Sequence, residues 1–131
     1  ASDHVLEKIR KQETVEQHRQ AVRVCKRAGI ICKAFWMVGL PLQRSPEIED
    51  IKQFMAEERP DRWIVSVFSA YPGSDVWVCP VKYNVTYLDL DLSHYWNFPE
   101  RPTIGYQDNS REDIWAQYQD LMAWLEKEFP R

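Results

Sequence analysis

Ile30-Ile31-Cys32-Lys33-Ala34-Phe35-Trp36-Met37-Val38 is apolar on both alternate sets of positions and is interrupted only by Lys33. A strand with one wet face alternates polar and apolar residues, whereas a strand apolar on both sides expects cover on both, as in a parallel sheet. Trp63-Ile64-Val65-Ser66-Val67-Phe68-Ser69 has the same two-faced character. Between the two, Ser45-Pro46 starts a helix, because proline in the first turn lacks only an N–H that would go unbonded there. Ile48, Ile51 and Met55, flanked by Phe54, form its inner face, and Arg59-Pro60-Asp61 ends it. Strand, helix and strand joined by short connections indicate a right-handed parallel βαβ unit.

Working outward, Val5, Leu6 and Ile9 fall at helical spacing near the start of the chain. A second helix follows, with Thr14 and Gln17 placed as a capping box. Val15, Val22 and Cys25 share one face of it, and Lys26 and Arg27 suit the negative end of its dipole. Gly29 is placed to end it in the left-handed conformation. Gly39-Leu40-Pro41 closes the first strand, and Tyr71-Pro72-Gly73-Ser74 is a turn after the second. Residues 78–106 carry three prolines, several aromatics and short apolar bursts such as Val85-Thr86-Tyr87-Leu88, and read as ordered but irregular. Ser110 and Asp113 open a last helix with Ile114, Tyr118, Leu121, Leu125 and Phe129 as its buried stripe.

Six Trp, six Tyr and five Phe among 131 residues supply ample apolar surface for a core. The net charge of −3 and the scattered Lys and Arg give no electrostatic reason to expect nucleic acid. No apolar run reaches the ~20 residues that cross a bilayer, and no signal-peptide layout is present, so a cytoplasmic location and no membrane partner are expected. Cys25, Cys32 and Cys79 are too widely spaced for a zinc motif and odd in number. Each reads as a small buried hydrophobe.

Two parallel strands do not make a stable sheet alone. The first strand has only helix before it, so its other edge is expected to pair with a strand preceding Ala1. A self-associating dimer is the competing explanation.

The ordered motifs resemble a known family. Ser2-Asp3-His4-Val5-Leu6-Glu7-Lys8-Ile9-Arg10-Lys11 is similar to the helix after the fourth barrel strand of radical S-adenosylmethionine (SAM) enzymes, of the form S-x-x-x-L-x-x-I-x-K. The segment from Thr14-Val15-Glu16 to Lys26-Arg27-Ala28-Gly29-Ile30 resembles the family's T-x-E…A-x-x-x-x-K-x-A-G-I. Phe35-Trp36-Met37-Val38-Gly39-Leu40-Pro41 resembles its fifth strand, F-x-I-x-G-L-P-G-E-T, and Pro60-Asp61 with Tyr71-Pro72-Gly73-Ser74 its sixth, P-D…P-Y-P-G-T. Residues 77–91, with Pro80-Val81-Lys82-Tyr83-Asn84-Val85, resemble members that also bind cobalamin.

The resemblance implies an α/β chain. Residues 1–75 would be the C-terminal half of a partial TIM-like (β/α)₆ barrel, and residues 76–131 an aromatic-rich extension with a terminal helix. It implies SAM and a [4Fe–4S] cluster as cofactors, with the cluster on a C-x-x-x-C-x-x-C loop that this sequence lacks. The implied SAM residues are Lys11 near the carboxylate, Met37, Gly39, Leu40 and Pro41 against the adenine, and Ala70, Tyr71 and Pro72 at the adenine edge. Where the family has glutamate after Gly-Leu-Pro-Gly, Pro41 is followed here by Leu42-Gln43-Arg44. Each of these positions also has a plain reading as a turn or a solvated lysine.

Other chemistry-bearing residues are less pointed. His4, His18 and His94 lie on separate elements and suggest no joint metal site. Asp89 and Asp91 would share one face if extended, as a polar strand edge or a carboxylate pair. Tyr87, Tyr95, Trp96 and Tyr106 suit packing or a substrate pocket. The expectation is a segment of a radical SAM enzyme performing 5′-deoxyadenosyl-radical or cobalamin-linked methyl-transfer chemistry on a small molecule. Its partner would be the N-terminal half of the same enzyme, and the chain alone would be inactive. The alternative is a non-catalytic α/β module that completes a partner's sheet.

Overall fold

The computed structural model describes residues 2–95 and 101–130. Helix α1 (Asp3–Lys8) and helix α2 (Val15–Arg27) precede strand β1 (Lys33–Val38). Helix α3 (Ser45–Glu58) leads to strand β2 (Arg62–Val67), and the short α4 (Asp75–Val78) follows. Strand β3 (Val85–Leu88), strand β4 (Ile104–Tyr106) and the long α5 (Arg111–Glu128) complete the order, with 3-10 turns at Pro80–Tyr83 and Leu92–His94.

The signals read at the helix ends are present. Thr14 Oγ1 accepts from the Gln17 N–H at 3.2 Å, and Gln17 Oε1 accepts from the Thr14 N–H at 2.7 Å. Ser110 and Asp113 form the same reciprocal cap on α5, and Gly29 ends α2 at φ +67°. Helix α3 differs by one residue: Arg44 is the N-cap, its N–H donating to Glu47 Oε2 at 2.9 Å. Ser45 and Pro46 are its first two helical residues.

β1 and β2 pair in parallel, Lys33 against Arg62 through Val38 against Val67. The strand begins at Lys33 rather than Ile30, because the Ile30 N–H is spent on the Cys25 carbonyl in closing α2. The register puts Ala34, Trp36 and Val38 on one face with Trp63, Val65 and Val67, and α3 and α5 cover that face. Trp36 meets the Phe54 ring edge-on at 5.2 Å and donates its indole N–H to Met55 Sδ.

Cover on both faces of β1 was expected, and the chain supplies only one layer. On the other face Phe35 is 71% and Met37 41% exposed. The fold is thus mixed α/β, a parallel pair under helices plus a second small sheet. No closed barrel is formed by the described residues.

The segment read as irregular holds more order than its sequence suggested. β3 and β4 pair antiparallel, with an irregular register between Val85 and Tyr87. β2 takes no neighbour from them: among the described residues, each sheet has two strands. Val38, Ile48, Ile51 and Val65 share one buried cluster with Ile104, Tyr106, Ile114, Leu121 and Leu125. The side chains before and after residue 75 therefore shield one another from water, which is the main stabilising term.

Helix α2 is tied to α3 by ions. Glu58 is buried, and its carboxylate accepts from Arg23 Nε and from Arg19 at 2.9 Å each. The guanidinium of Arg23, then that of Arg19, holds the Glu58 carboxyl below the usual range against the opposing effect of burial. A buried charge so paired is costly to orphan.

Candidate site at the ends of the parallel strands

Because β1 and β2 run parallel, Gly39-Leu40-Pro41 and Ala70-Tyr71-Pro72 leave the sheet at the same end. Gly39 has φ +88°, and a Cβ there would meet Ile114 Cγ2 at 3.0 Å. Glycine is required by conformation and by the close passage of α5. Its backbone groups are already engaged. The N–H donates to Gln43 Oε1 at 2.7 Å, and the carbonyl accepts from the buried Tyr106 hydroxyl at 2.9 Å. Burial pushes the Tyr106 phenol up, so it stays a donor.

Gln43 is the residue that organises this turn, and its role was not evident from the sequence. It is 5% exposed. Its Oε1 also accepts from the Leu40 N–H at 3.3 Å, and its Nε2 donates to the Met37 carbonyl at 2.9 Å. One side chain thus satisfies three backbone groups that the end of the strand leaves unpaired. Its own carbonyl accepts from Asn109 Nδ2 at 2.8 Å, and Asn109 Oδ1 accepts from Gln117 Nε2 at 2.9 Å. This buried amide ladder couples the turn to α5. The signal was Gln43 itself, standing where the family pattern has glutamate.

The residue before Gln43 departs from that pattern in type. Leu42 is left-handed at φ +66°, a region that favours glycine. It occupies the place of the second glycine in Gly-Leu-Pro-Gly.

Lys11, Met37 and Leu40 line one groove of about 540 Å³ along the free edge of β1, with Val5, Phe35 and Phe54. Lys11 is exposed, 4.0 Å from Glu13. Pro41 and Ala70 are buried. Tyr71 is half-exposed and packs edge-on against Tyr95 at 5.6 Å. Pro72 is exposed beside it. The structure therefore brings the strand-end residues to one rim but places only three of the eight in the groove.

The acidic and aromatic residues of the C-terminal segment take separate structural roles. Asp89 is buried, accepting from the Asp91 N–H at 2.9 Å and lying 2.8 Å from His94 Nδ1. The Asp91 N–H, then His94, holds the Asp89 carboxyl below its ordinary range. Asp91 is exposed; its Oδ1 accepts from the Ser93 N–H at 3.0 Å and its Oδ2 lies 3.6 Å from His94 Nε2, so the His94 ring stands between the two carboxylates. Tyr95 packs on Tyr71 and Trp77, Tyr87 lies under Arg111, and Tyr106 faces Gly39. Trp96 lies outside the described residues. The cysteines are less buried than expected: Cys25 and Cys32 are half-buried and Cys79 is exposed. Among the described residues, no three His, Cys, Asp or Glu side chains converge as a metal site. No helix among them is long and apolar enough to cross a membrane.

Comparison with known proteins gives one thread. Over 72 residues the chain is 26% identical to the anaerobic magnesium-protoporphyrin IX monomethyl ester cyclase of Rubrivivax gelatinosus, a match covering 55% of this chain. The similarity is distant. The chain spans about 13% of that relative's length. No family model matches, and no solved structure does.

Proposed function

We propose that this chain is a segment of a radical SAM enzyme and forms part of its SAM pocket at the rim where β1 and β2 end. The observation that carries the reading is the turn after β1. Its Gly39-Leu40-Pro41 sequence matches the start of the family's Gly-Leu-Pro-Gly-Glu pattern, while Leu42, at φ +66°, and the buried Gln43 stand where that pattern has Gly and Glu. The distant similarity to an enzyme whose name specifies an anaerobic cyclisation is compatible with the same class of chemistry.

The residues present fit one cofactor and not the other. For the adenine of SAM, Phe35 and Met37 offer an exposed apolar wall, and the neighbouring strand end offers the half-exposed Tyr71. A flat purine is held by such a wall with a few polar groups at its edge. Gly39 contributes shape rather than hydrogen bonds, since both its backbone groups are taken. For a [4Fe–4S] cluster the described residues offer no converging thiolates, and no step is derived through it. Bound SAM supplies the radical precursor or the methyl group, and the protein orients it. Lys11 is a charge-assisted partner for the SAM carboxylate. The cluster ligands belong to the N-terminal half of the same enzyme, which also supplies the neighbour for the open edge of β1. A cobalamin-linked methyl transfer remains within the same proposal.

The test is anaerobic reconstitution with iron and sulfide under a strong reductant, scored by release of 5′-deoxyadenosine from SAM. The intact parent should release it and the isolated chain should release none. Turnover by the isolated chain would overturn the division of labour, and a parent that neither binds nor cleaves SAM would overturn the family reading.

A further inference from the structure

Helix α1 and the turn after it serve two hollows. Val5, Leu6, Ile9 and Lys11 line the groove along β1. His4, Glu7 and Lys8, at helical spacing i, i+3 and i+4, share the other side. There a separate cavity of about 280 Å³ is lined by His4, Glu7, Lys8, Arg10, Lys82 and Tyr83. Arg10 follows the helix end at φ +56°, its N–H donating to the Glu7 carbonyl at 2.9 Å. Lys82 and Tyr83 come from the 3-10 turn Pro80–Tyr83, more than 70 residues later in the chain. That turn is anchored at its end, where the Asn84 carbonyl accepts from the Gln107 N–H at 2.9 Å.

Three cations therefore meet in one cavity of a chain whose net charge is −3. Gathering like charges costs free energy unless an opposite charge offsets it. Lys82 has such a partner: it and the Tyr83 hydroxyl both donate to the Asp75 carboxylate. Lys8 and Arg10 form no ion pair among the described residues, although Glu7 shares the lining. The ammonium groups of Lys8 and Lys82 lie 5.6 and 5.1 Å from the centre of the Tyr83 ring, which draws both elements together. We propose that this cavity binds a small, multiply charged oxyanion, a phosphate or a polycarboxylate, held chiefly by Lys8 and Arg10 with Lys82 at its edge. The inference stands on the cavity and its charges and does not rest on the family reading.

The chemistry of the lining selects that class. Oxyanion oxygens only accept, and Lys8 and Arg10 only donate, with the guanidinium able to give two parallel bonds to one group. A singly charged ion would satisfy one of the two free cations and leave the other. Asp75 is occupied by Lys82 and Tyr83, whereas Glu7 opposes an incoming anion. The three cations are exposed, so water and salt weaken each contact and the site is one of modest affinity.

The experiment follows the backbone amide resonances of the full chain at neutral pH and low salt while pyrophosphate or citrate is added, with chloride at matched ionic strength as the blank. Saturable shifts should appear at residues 4–10 and 82–83, with a Kd of about 1 mM or tighter that weakens severalfold at ~150 mM salt. Tighter binding of pyrophosphate assigns the oxyanion to a phosphoryl group, and tighter binding of citrate assigns it to carboxylates. The double variant Lys8→Gln with Arg10→Gln should bind about fivefold more weakly or worse, whereas Lys127→Gln, on α5 and outside the lining, should bind as the parent does. Glu7→Gln should bind about twofold more tightly or better, a gain that misfolding does not produce. Shifts that never saturate, shifts no larger than those with chloride, or an affinity unchanged in both the double variant and Glu7→Gln would overturn the proposal.

Discussion

Replacing Gln43 by Glu changes one atom type in the side chain that organises the turn after β1. At neutral pH a carboxylate keeps the two bonds from the Gly39 and Leu40 N–H groups but cannot donate to the Met37 carbonyl, 2.9 Å away. That carbonyl is then unpaired and faces a negative oxygen at a site that is only 5% exposed. An orphaned buried acceptor costs about 1–3 kcal/mol, and the repulsion brings the expected loss to roughly 2–4 kcal/mol. Protonation restores a donor, so the folded state raises the pKa of the introduced carboxyl above its unfolded value of about 4.3. With that sign, the loss is complete above the folded pKa and shrinks as pH falls through it toward the unfolded value. Urea unfolding of Gln43→Glu and the parent sequence at neutral pH and near pH 5 reads this directly, with Gln43→Ala as a pH-independent reference. Equal stability of Gln43→Glu and the parent sequence at both pH values would show that the amide does not bridge these three groups.

Tyr106→Phe removes the donor to the Gly39 carbonyl and should cost about 1–2 kcal/mol in the same assay, with the far-ultraviolet spectrum unchanged. Glu58→Ala strips the partner from Arg19 and Arg23 and should cost roughly 2–4 kcal/mol. Because the folded Glu58 carboxyl is held below its unfolded value, its contribution is full above about pH 4.5 and is lost as pH falls through the folded pKa. An acid limb of the stability profile unchanged in Glu58→Ala would refute that assignment. At Leu42 the stability order Gly at least equal to Leu, and Leu above Val by about 1 kcal/mol or more, is expected from its left-handed backbone, and a tolerated Val would refute it.

Local signals carried much of this fold in plain view. Thr14 with Gln17, Ser110 with Asp113, and Gly29 mark helix ends through interactions within a few residues, so sequence alone suffices to find them. The parallel pairing of β1 and β2 was legible because helical and two-faced periods alternate along the chain. One-sided cover was not, since an apolar face reads the same whether this chain or another covers it. Strand β4 was hidden because Ile104-Gly105-Tyr106 is short and takes its partner from β3, many residues earlier. The strand-end turns were found as motifs, yet Tyr106 and Asn109 reach the turn at Gly39 and Gln43 across 67 and 66 residues. Composition does not record such distances.

The adenine wall is the point at which the account is most exposed, and Met37→Glu in the intact parent addresses it. Met37 lies on the open face, so the substitution puts a charge against the purine while leaving the helix-covered core untouched. Equilibrium dialysis with labelled SAM should show affinity falling by about tenfold or more, with the unfolding midpoint close to that of the parent, since a buried charge against an apolar surface goes uncompensated. Undiminished SAM binding by that variant would contradict the placement of the cofactor at the ends of β1 and β2.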